Sequence, residues 1–197
     1  MHMPFIVLDG PDASGTSTHA LMLAKKLTAE GHDVLLTSEP TDGPIGKQIR
    51  EYLKNGKADP MTLQMLFTQD REWHVTNVIA PALRAGKIVI SDRFWHSTII
   101  YAEAQDLEIR ELKKLNNEFI QPNIILFTLP PLTISLARML ERDNREIFER
   151  EGLQKRIYQG YVAMARENPA IRVIDTSREK TTVADEIWSL VTLSALR

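Results

Sequence analysis

The chain has 197 residues, 43% of them hydrophobic and 25% charged, a composition typical of ordinary globular domains. Its 24 basic and 26 acidic side chains give a formal net charge of −2, without the basic excess of a nucleic-acid-binding protein, and the lack of cysteine excludes disulfides and thiolate metal sites. Because no apolar run could cross a membrane and the first residues lack the pattern of a secretion signal, we expect a cytoplasmic protein with no membrane or nucleic-acid partner.

Five short apolar runs predict the strands of a parallel sheet, because strands buried on both faces are apolar on both sides. These runs are residues 5–8, 34–37, 87–91, 123–128 and 171–174. Helical spacing of apolar residues predicts helices between them, at residues 17–27, 45–54, 59–85, 109–119, 133–142, 148–166 and 183–193. Alternating strands and helices with right-handed crossovers predict a three-layer, doubly wound α/β domain with a five-stranded sheet, spanning residues 1–197.

The loop after the first predicted strand has the glycine spacing of a phosphate-binding loop, or P-loop. Gly10 and Gly15 have the expected separation, and Ser17 stands at the hydroxyl position, where it can bind Mg²⁺. Glycines let the backbone wrap a phosphate, and the helix that follows adds the positive end of its dipole. The predicted donor-phosphate residues are Gly10, Pro11, Asp12, Ala13, Ser14, Gly15, Thr16, Ser17 and Thr18.

One position of this loop departs from the P-loop pattern, because Thr16 stands where lysine is expected. A tight turn between a strand and a helix with no phosphate nearby would have the same outline. The loop alone therefore leaves both interpretations open. Its many polar side chains after a buried strand favour the phosphate-binding one.

Three further segments resemble the thymidylate kinase family, in the same order along the chain. Residues 66–74, LFTQDREWH, are similar to the LFAxDRxxH stretch of that family, and residues 92–101, DRFWHSTIIY, to its DRYxxSSxAY stretch. Residues 39–50 are similar to its REPGG and IGxxIR segments. Weaker similarities at residues 148–151, 160–161 and 173–175 extend the resemblance over nearly the whole chain.

This resemblance implies a fold of the P-loop NTPase type and an enzyme that phosphorylates a nucleotide. The implied reaction transfers the γ-phosphoryl group of ATP to dTMP, giving dTDP and ADP, with Mg²⁺ as cofactor. It also implies a homodimer, formed through the long predicted helix at residues 59–85. A kinase of another nucleoside monophosphate and a catalytically impaired nucleotide-binding homologue are the alternatives.

The resemblance also implies which residues bind the acceptor nucleotide. Phe67 would stack on the pyrimidine, and Arg71, one helical turn later, would reach the base carbonyl that distinguishes thymine from cytosine. Tyr101 would crowd the 2′ position of the sugar, beside Ser97 and Thr98 in the same substrate set. Taken one at a time, the aromatic residues are more often core residues, and Arg71 more often pairs with a neighbouring acid on the surface. The joint order and spacing of these residues favour the binding roles instead.

A second implied set handles the phosphates. Arg50 and Arg93 would clamp the monophosphate through charge-assisted hydrogen bonds, although Arg50 could instead pair with a neighbouring acid. Asp12 would accept a hydrogen bond from the 3′-hydroxyl of the sugar. Asp92 lies at the carboxyl end of a strand, where open α/β sheets bind their ligands, and would help to hold Mg²⁺ with Ser17.

An arginine-rich stretch at residues 138–151 lies where the family has a lid over ATP. Since the P-loop contains no arginine, a catalytic arginine would come from this lid, and Arg142 and Arg145 are the candidates. The acidic residues interspersed with them favour a solvated, salt-bridged helical face equally well. Both interpretations stay open.

Four departures from the family pattern bear on activity. Losing the P-loop lysine at Thr16 removes one preorganised charge, which by analogy with an oxyanion-hole donor costs about two to three decades in rate. We expect compensation by Mg²⁺ and the lid arginines, because the residues implied to bind dTMP are retained. The other departures are Ser38 with Thr41-Asp42 in the REPGG segment, Ala102 after Tyr101, and Phe127-Thr128-Leu129 in place of LDV.

Overall fold

A computed structural model describes residues 4–56, 58–141 and 151–195. Within these ranges five strands pair in parallel, in the order β2-β3-β1-β4-β5. The predicted doubly wound sheet is therefore confirmed, with β1 at its centre. The strands are β1 (Phe5–Asp9), β2 (Val34–Ser38), β3 (Ile88–Asp92), β4 (Ile124–Thr128) and β5 (Ile171–Ile174).

The helices of the described residues lie between the strands and after the last of them, and cover both faces of the sheet. None of them is both long and apolar enough to span a bilayer. Their bounds are α1 (Thr16–Ala29), α2 (Pro44–Asn55), α3 (Pro60–His74), α4 (Ala80–Arg84), α5 (Trp95–Glu103), α6 (Arg110–Asn117), α7 (Leu132–Leu140), α8 (Glu151–Glu167) and α9 (Lys180–Ala195), with a π-helical turn (Val75–Ile79) between α3 and α4.

Alternate side chains of β1 point into different hydrophobic cores, as the period of a strand requires. Ile6 and Leu8 pack with buried residues of α1 and α9 on one face. Phe5 and Val7 pack with residues of α4, β3 and the start of α5 on the other. The central strand is thus apolar from Phe5 to Leu8, and polar side chains begin at Asp9, its last residue.

The helix predicted over residues 59–85 is interrupted in the structure. A π-helical turn (Val75–Ile79) separates α3 from α4, and the N–H of Ala80 donates to the carbonyl of Val75. Pro81 has no N–H to continue the α-helical ladder, which explains a break at this point. The turn adds one residue to the helical path and so changes which residues of α4 face the sheet.

Helix α5 was not predicted from the sequence, although it carries much of the DRF segment. Its residues from Thr98 to Ala102 are all buried, as is His96. A helix buried on all sides shows no alternation of polar and apolar faces. The periodicity on which sequence prediction depends is therefore missing.

Helix α2 touches the loop that follows β2 without any intervening side chain. A Cβ atom added to Gly46 would lie 1.9 Å from the carbonyl oxygen of Thr41. The same loop contains a cis peptide bond between Glu39 and Pro40. Glycine at position 46 therefore allows α2 and this loop to lie in direct contact beside the site.

We expect Gly46→Ala to lower the free energy of unfolding by about 1–3 kcal/mol, because the new methyl group must displace backbone rather than a flexible side chain. Urea unfolding measures the change. Gly152→Ala in α8 is the control, since a Cβ atom there meets nothing within 4 Å and alanine favours a helix. Equal stability of the parent chain and Gly46→Ala would contradict the close contact.

Candidate functional site

The P-loop follows β1 with two residues in the left-handed region of backbone conformation. They are Ala13 (φ 59°) and Gly15 (φ 96°). For alanine this conformation costs about 1 kcal/mol, so the surrounding contacts must hold it in place. Gly10 has no space for a side chain, because a Cβ atom would lie 2.5 Å from the hydroxyl oxygens of Ser14 and Thr128.

Two threonines, at the end of β4 and just after β5, hold the middle of the P-loop. The hydroxyl groups of Ser14 and Thr128, at the end of β4, are 2.8 Å apart, and Thr176 after β5 donates to the carbonyl oxygen of Ser14. Helix α1 then begins at Thr16 with no side-chain cap on its first turn. The free N–H groups at the start of a helix bind anions, so this arrangement suits a phosphate.

Asp9, the last residue of β1, is the buried carboxylate on which the loop depends. Its Oδ1 accepts from the N–H of Gly10 (2.9 Å), the hydroxyl of Ser97 (2.6 Å) and the phenol of Tyr161 (2.7 Å). Its Oδ2 accepts from the N–H groups of Phe94 and Ser97 at 3.2 and 3.3 Å. One charge thus connects the P-loop, the β3–α5 junction and α8.

Arg93 lies between the P-loop and the DRF segment. One guanidinium nitrogen donates to the carbonyl oxygen of Gly10 (2.9 Å) and to Ser97 (3.0 Å), and the other donates to Asp12 (2.7 Å). Gln154 of α8 donates to the second oxygen of Asp12 at 2.8 Å. Arg93 itself has a φ of 73°, an uncommon backbone conformation for a residue with a side chain, and such strain collects at functional sites.

Ser17 and Asp92 meet at the carboxyl end of β3. The Ser17 hydroxyl donates to Oδ2 of Asp92, and Oδ1 of Asp92 is buried with no hydrogen-bond partner among the described residues. A hydroxyl beside an unpaired carboxylate oxygen fits Mg²⁺, which takes one or two protein ligands together with water and phosphate oxygens. No cluster of three or more His, Cys, Asp or Glu within the described ranges offers an all-protein metal site.

A small cavity of about 70 Å³ opens beside Arg93 and Asp12. We call it the α3 pocket, because Phe67 and Gln64 of α3 form one of its walls. The predicted residues Asp12, Phe67, Arg93, Ser97, Thr98 and Tyr101 all line it, together with Pro40, Leu53 and Gln64.

Two tyrosines near this pocket are held in the protonated form. Burial raises the pKa of Tyr101 well above its usual value, and the nearby Asp12 adds to the shift. Burial likewise raises the pKa of Tyr161, with a further contribution from Asp9. Both phenols therefore keep their O–H at neutral pH, and Tyr161 uses it to donate to Asp9.

Arg71 is not among the residues that line the α3 pocket. Its side chain is 1% exposed and pairs with Glu39 at 2.5 Å, not with the adjacent acids of its own helix. It also donates to Asn116 (2.6 Å) and to the hydroxyl of Thr98 (3.2 Å), a lining residue. His74 meets the other oxygen of Glu39 at 3.0 Å. Arg71 thus reaches the pocket wall only through Thr98, and its contact with a base carbonyl stays a prediction.

Arg50 also lies outside the lining of the α3 pocket. It donates to the carbonyl oxygens of Pro40 (2.7 Å) and Thr41 and pairs with the exposed Asp42 at 2.7 Å. It therefore holds the loop after β2. Its predicted contact with a monophosphate stays a prediction.

A second cavity lies on the other side of the P-loop. We call it the P-loop pocket, and it is lined by Ala13, Gly15, Thr18, His19, Arg138, Thr176 and Lys180. Arg138 donates to the carbonyl oxygen of Thr176 at 2.8 Å. Burial lowers the pKa of His19, and the positive charges of Arg138 and Lys180 add to the shift. Two cations thus stand beside the loop that lacks its lysine. Arg142 and Arg145, the predicted catalytic arginines, lie outside the described residues.

Sequence reasoning missed four residues of this site: Asp9, Gln64, Gln154 and Tyr161. Asp9 had a local signal, since it is an acid directly between an apolar strand and the first glycine of the loop. Tyr161 lies in the segment at residues 160–161 that resembles the family, but the resemblance gave it no role. Gln64 and Gln154 are single polar residues on helices, and nothing in their sequence neighbourhood separates them from solvated side chains.

Comparison with known proteins gives one consistent result. The family model for thymidylate kinase matches residues 8–187. A probable thymidylate kinase of Thermococcus kodakarensis is 35% identical over 197 residues, covering 95% of this chain and 96% of that protein. A thymidylate kinase of a Synechococcus strain is 38% identical over 194 residues, covering 95% of this chain and 93% of that protein. A thymidylate kinase of Thermomicrobium roseum is 34% identical over 201 residues, covering 95% of this chain and 94% of that protein.

His96 is a buried histidine of α5 whose charge state affects stability. Its ring stacks on Trp95 at 3.9 Å and meets Phe127 edge-on at 5.4 Å. Its Nδ1 lies 3.7 Å from Asp9, and neither ring nitrogen has a hydrogen-bond partner in the described part of the chain. Burial lowers the pKa of His96 to about 4, an effect that Asp9 opposes and Arg71 reinforces. The ring is therefore neutral at pH 7.

We expect His96 to make the protein less stable in mild acid. Since its pKa in the folded state lies below the usual 6.5, protonation favours the unfolded chain. The free energy of unfolding that the neutral His96 ring contributes is complete above pH 6.5 and is lost as pH falls towards 4. The loss between pH 7 and pH 5 is about 2 kcal/mol. Urea unfolding at both pH values measures it. His96→Phe should lose less stability than the parent over this interval, and equal losses would contradict the assignment.

Proposed function

This chain belongs to the thymidylate kinase family and transfers the γ-phosphoryl group of ATP to dTMP, and we propose that it does so with the residues described above and without a P-loop lysine. The observation that carries this proposal is the position of Arg93. It contacts Gly10 in the P-loop and Asp12 at the α3 pocket. A donor phosphate on the loop and an acceptor phosphate in the pocket would therefore meet at one guanidinium group.

The proposed reaction is a direct transfer between phosphates. An oxygen of the dTMP phosphate attacks the γ-phosphorus of ATP, the bond from that phosphorus to the bridging oxygen breaks, and ADP leaves. The attacking oxygen is already anionic, so no general base is required. Arg93 aligns the acceptor and neutralises charge on the transferred group, and the rate gain comes from orientation and electrostatics.

The acceptor would lie in the α3 pocket. Phe67 stacks on the pyrimidine, Tyr101 crowds the 2′ position and Asp12 accepts from the 3′-hydroxyl in this arrangement. Arg93 and Gln154 both bond to Asp12, which supports an ordered position for its carboxylate. Ser97 and Thr98 line the same pocket as Phe67.

ATP would lie against the P-loop, with its phosphates on the amides at the start of α1. Ser17 and Asp92 would hold Mg²⁺, supported by the unpaired, buried oxygen of Asp92. When bound, the ion neutralises charge on the donor phosphates. A phosphorylation rate that does not change with Mg²⁺ concentration would contradict this part of the proposal.

Other cations would replace the charge of the missing lysine at Thr16. Arg138 and Lys180 line the P-loop pocket, which supports such a role, and the lid arginines Arg142 and Arg145 are further candidates. A kinase of another nucleotide and a non-catalytic nucleotide binder are not favoured, since the relatives above are named as thymidylate kinases.

We expect the parent chain to release ADP from Mg-ATP with dTMP in a coupled assay, and Thr16→Lys to raise kcat by less than about tenfold. If other cations already replace the charge of the missing lysine, adding a lysine at position 16 should change kcat little. If they do not, kcat should rise by about two to three decades. Thr16→Met, of similar length without charge, is the control for added bulk. Turnover only in Thr16→Lys would show that the parent is a nucleotide binder.

The homodimer is a separate proposal. Leu36 of the edge strand β2 is 38% exposed, and it lines one cavity with the half-buried Trp73 and Val78. These partly exposed apolar side chains lie at α3, the π-helical turn and the edge strand, which supports an interface through that helix. The cytoplasmic location expected from the sequence also stays a proposal, which cell fractionation tests.

We expect the parent chain to sediment as a species of twice the chain mass. Val78→Asp should convert it to a monomer, because an unpaired charge in an apolar interface is costly. Leu193→Asp, at an exposed apolar side chain of α9, is the matched control and should remain dimeric. Monomeric sedimentation of the parent would contradict the proposal.

A further inference from the structure

Ser14 is the buried centre of the P-loop, and its contacts reach two other strands. Ser14 and Thr128, at the end of β4, are both fully buried, and their hydroxyl oxygens are 2.8 Å apart. Thr176, after β5, is also buried and donates to the carbonyl oxygen of Ser14. The middle of the loop is therefore fixed by its side chain on one strand end and by its backbone on another.

The backbone on either side of Ser14 needs such support. Ala13 and Gly15 both have a positive φ, of 59° and 96°, and this conformation is unfavourable for a residue with a Cβ atom, such as Ala13. Turns of this kind direct successive N–H groups towards one concave side, where they bind an anion. The contacts of Ser14 thus hold a backbone conformation that the local sequence disfavours and that a phosphate requires.

The lack of a lysine at position 16 makes the geometry of this loop more important for donor binding. A P-loop lysine is a charged donor on a flexible stem, whereas backbone N–H groups bind a phosphate only where the loop places them. Thr16 removes the flexible donor from this chain. The affinity for the donor phosphates therefore depends on how accurately the loop holds its N–H groups.

We propose that Thr128 is a positioning residue for ATP: through its hydrogen bond to Ser14, it holds the P-loop N–H groups in the arrangement that binds the donor phosphates. The inference rests on the proposed donor site. Thr128 lines neither the α3 pocket nor the P-loop pocket, so it acts through Ser14 and not by contact with a nucleotide.

The identity of this residue fits the role. Thr128 stands where the thymidylate kinase pattern has the aspartate of LDV. A hydroxyl group pairs with Ser14 without adding a negative charge, whereas a carboxylate beside a loop that lacks its lysine would repel the donor phosphates. Two departures from the family pattern, at positions 16 and 128, therefore meet at the same loop.

A purely structural role of this hydrogen bond makes a different prediction. Loss of the bond would then lower the free energy of unfolding and leave the Kd of the folded protein for ATP unchanged. A positioning role raises the Kd for ATP and leaves the Kd for dTMP unchanged, because neither Ser14 nor Thr128 lines the α3 pocket.

The test compares Thr128→Val, which keeps the shape and removes the hydroxyl, with Thr128→Ser, which keeps the hydroxyl. Calorimetry measures the Kd for Mg-ATP and for dTMP in separate titrations. We expect Thr128→Val to raise the Kd for Mg-ATP about tenfold, the effect of one lost hydrogen bond, with the Kd for dTMP within about twofold of the parent. Thr128→Ser should stay within about threefold of the parent for Mg-ATP. Thr192→Val, which removes a half-buried hydroxyl of α9, is the control and should leave both Kd values unchanged.

A double-mutant cycle with Ser14→Ala tests whether the effect passes through Ser14. Since Thr128→Val and Ser14→Ala break the same bond, the double variant should bind Mg-ATP within about twofold of the weaker single variant. Costs that add in full would show two independent effects and would overturn the assignment. If Thr128→Val does not fold, as circular dichroism would show, Ser14→Ala tests the same bond from the side of the loop.

Three other results would overturn the inference. They are an unchanged Kd for Mg-ATP in Thr128→Val or Ser14→Ala, an equal loss of dTMP binding, and no recovery of Mg-ATP binding in Thr128→Ser. A parent chain that binds Mg-ATP through this loop but never phosphorylates dTMP would refute the kinase function while leaving the inference intact.

Discussion

The carboxylate of Asp9 holds the two halves of the site together. A charge with no exposure to water must have its oxygens hydrogen-bonded, because an unpaired one would be far too costly to bury. Its partners come from three parts of the chain: Gly10 in the P-loop, Phe94 and Ser97 beyond β3, and Tyr161 on α8. Satisfying this one group therefore sets where the loop begins, where α5 begins and how α8 lies across the sheet.

The remaining polar groups of the site build outward from that carboxylate. Ser97, which bonds to Asp9, also accepts from Arg93, and Arg93 in turn bonds to Asp12. The proposed donor and acceptor sides thus share one chain of hydrogen bonds rather than forming two separate sites. Catalysis by positioning requires such a shared frame, since a displacement of about 1 Å between reacting phosphates costs about two decades in rate.

The features that depend on neighbouring residues could be predicted from the sequence, and those that depend on distant residues could not. The five strands and the loop from Gly10 to Thr18 were readable, because apolar runs and glycine spacing are properties of neighbouring residues. The partner of Arg71 could not be predicted, because Glu39 lies 32 residues away and nothing near Arg71 indicates it. Helix α5 could not be predicted either, because it has no solvated face and its sequence therefore shows no alternation of polar and apolar residues. The hydrogen bond between Ser14 and Thr128 joins residues 114 positions apart, so it too emerges only from the folded structure.

Behind the α3 pocket, Glu39 joins Arg71 and His74 in a network with no access to solvent. Replacing one of these side chains leaves a buried partner unpaired, which is costly. Helix α3 thus carries both residues that hold this network and residues, such as Phe67, that line the pocket. Over evolutionary time, we expect substitutions on the pocket wall to accumulate more readily than substitutions in the network behind it.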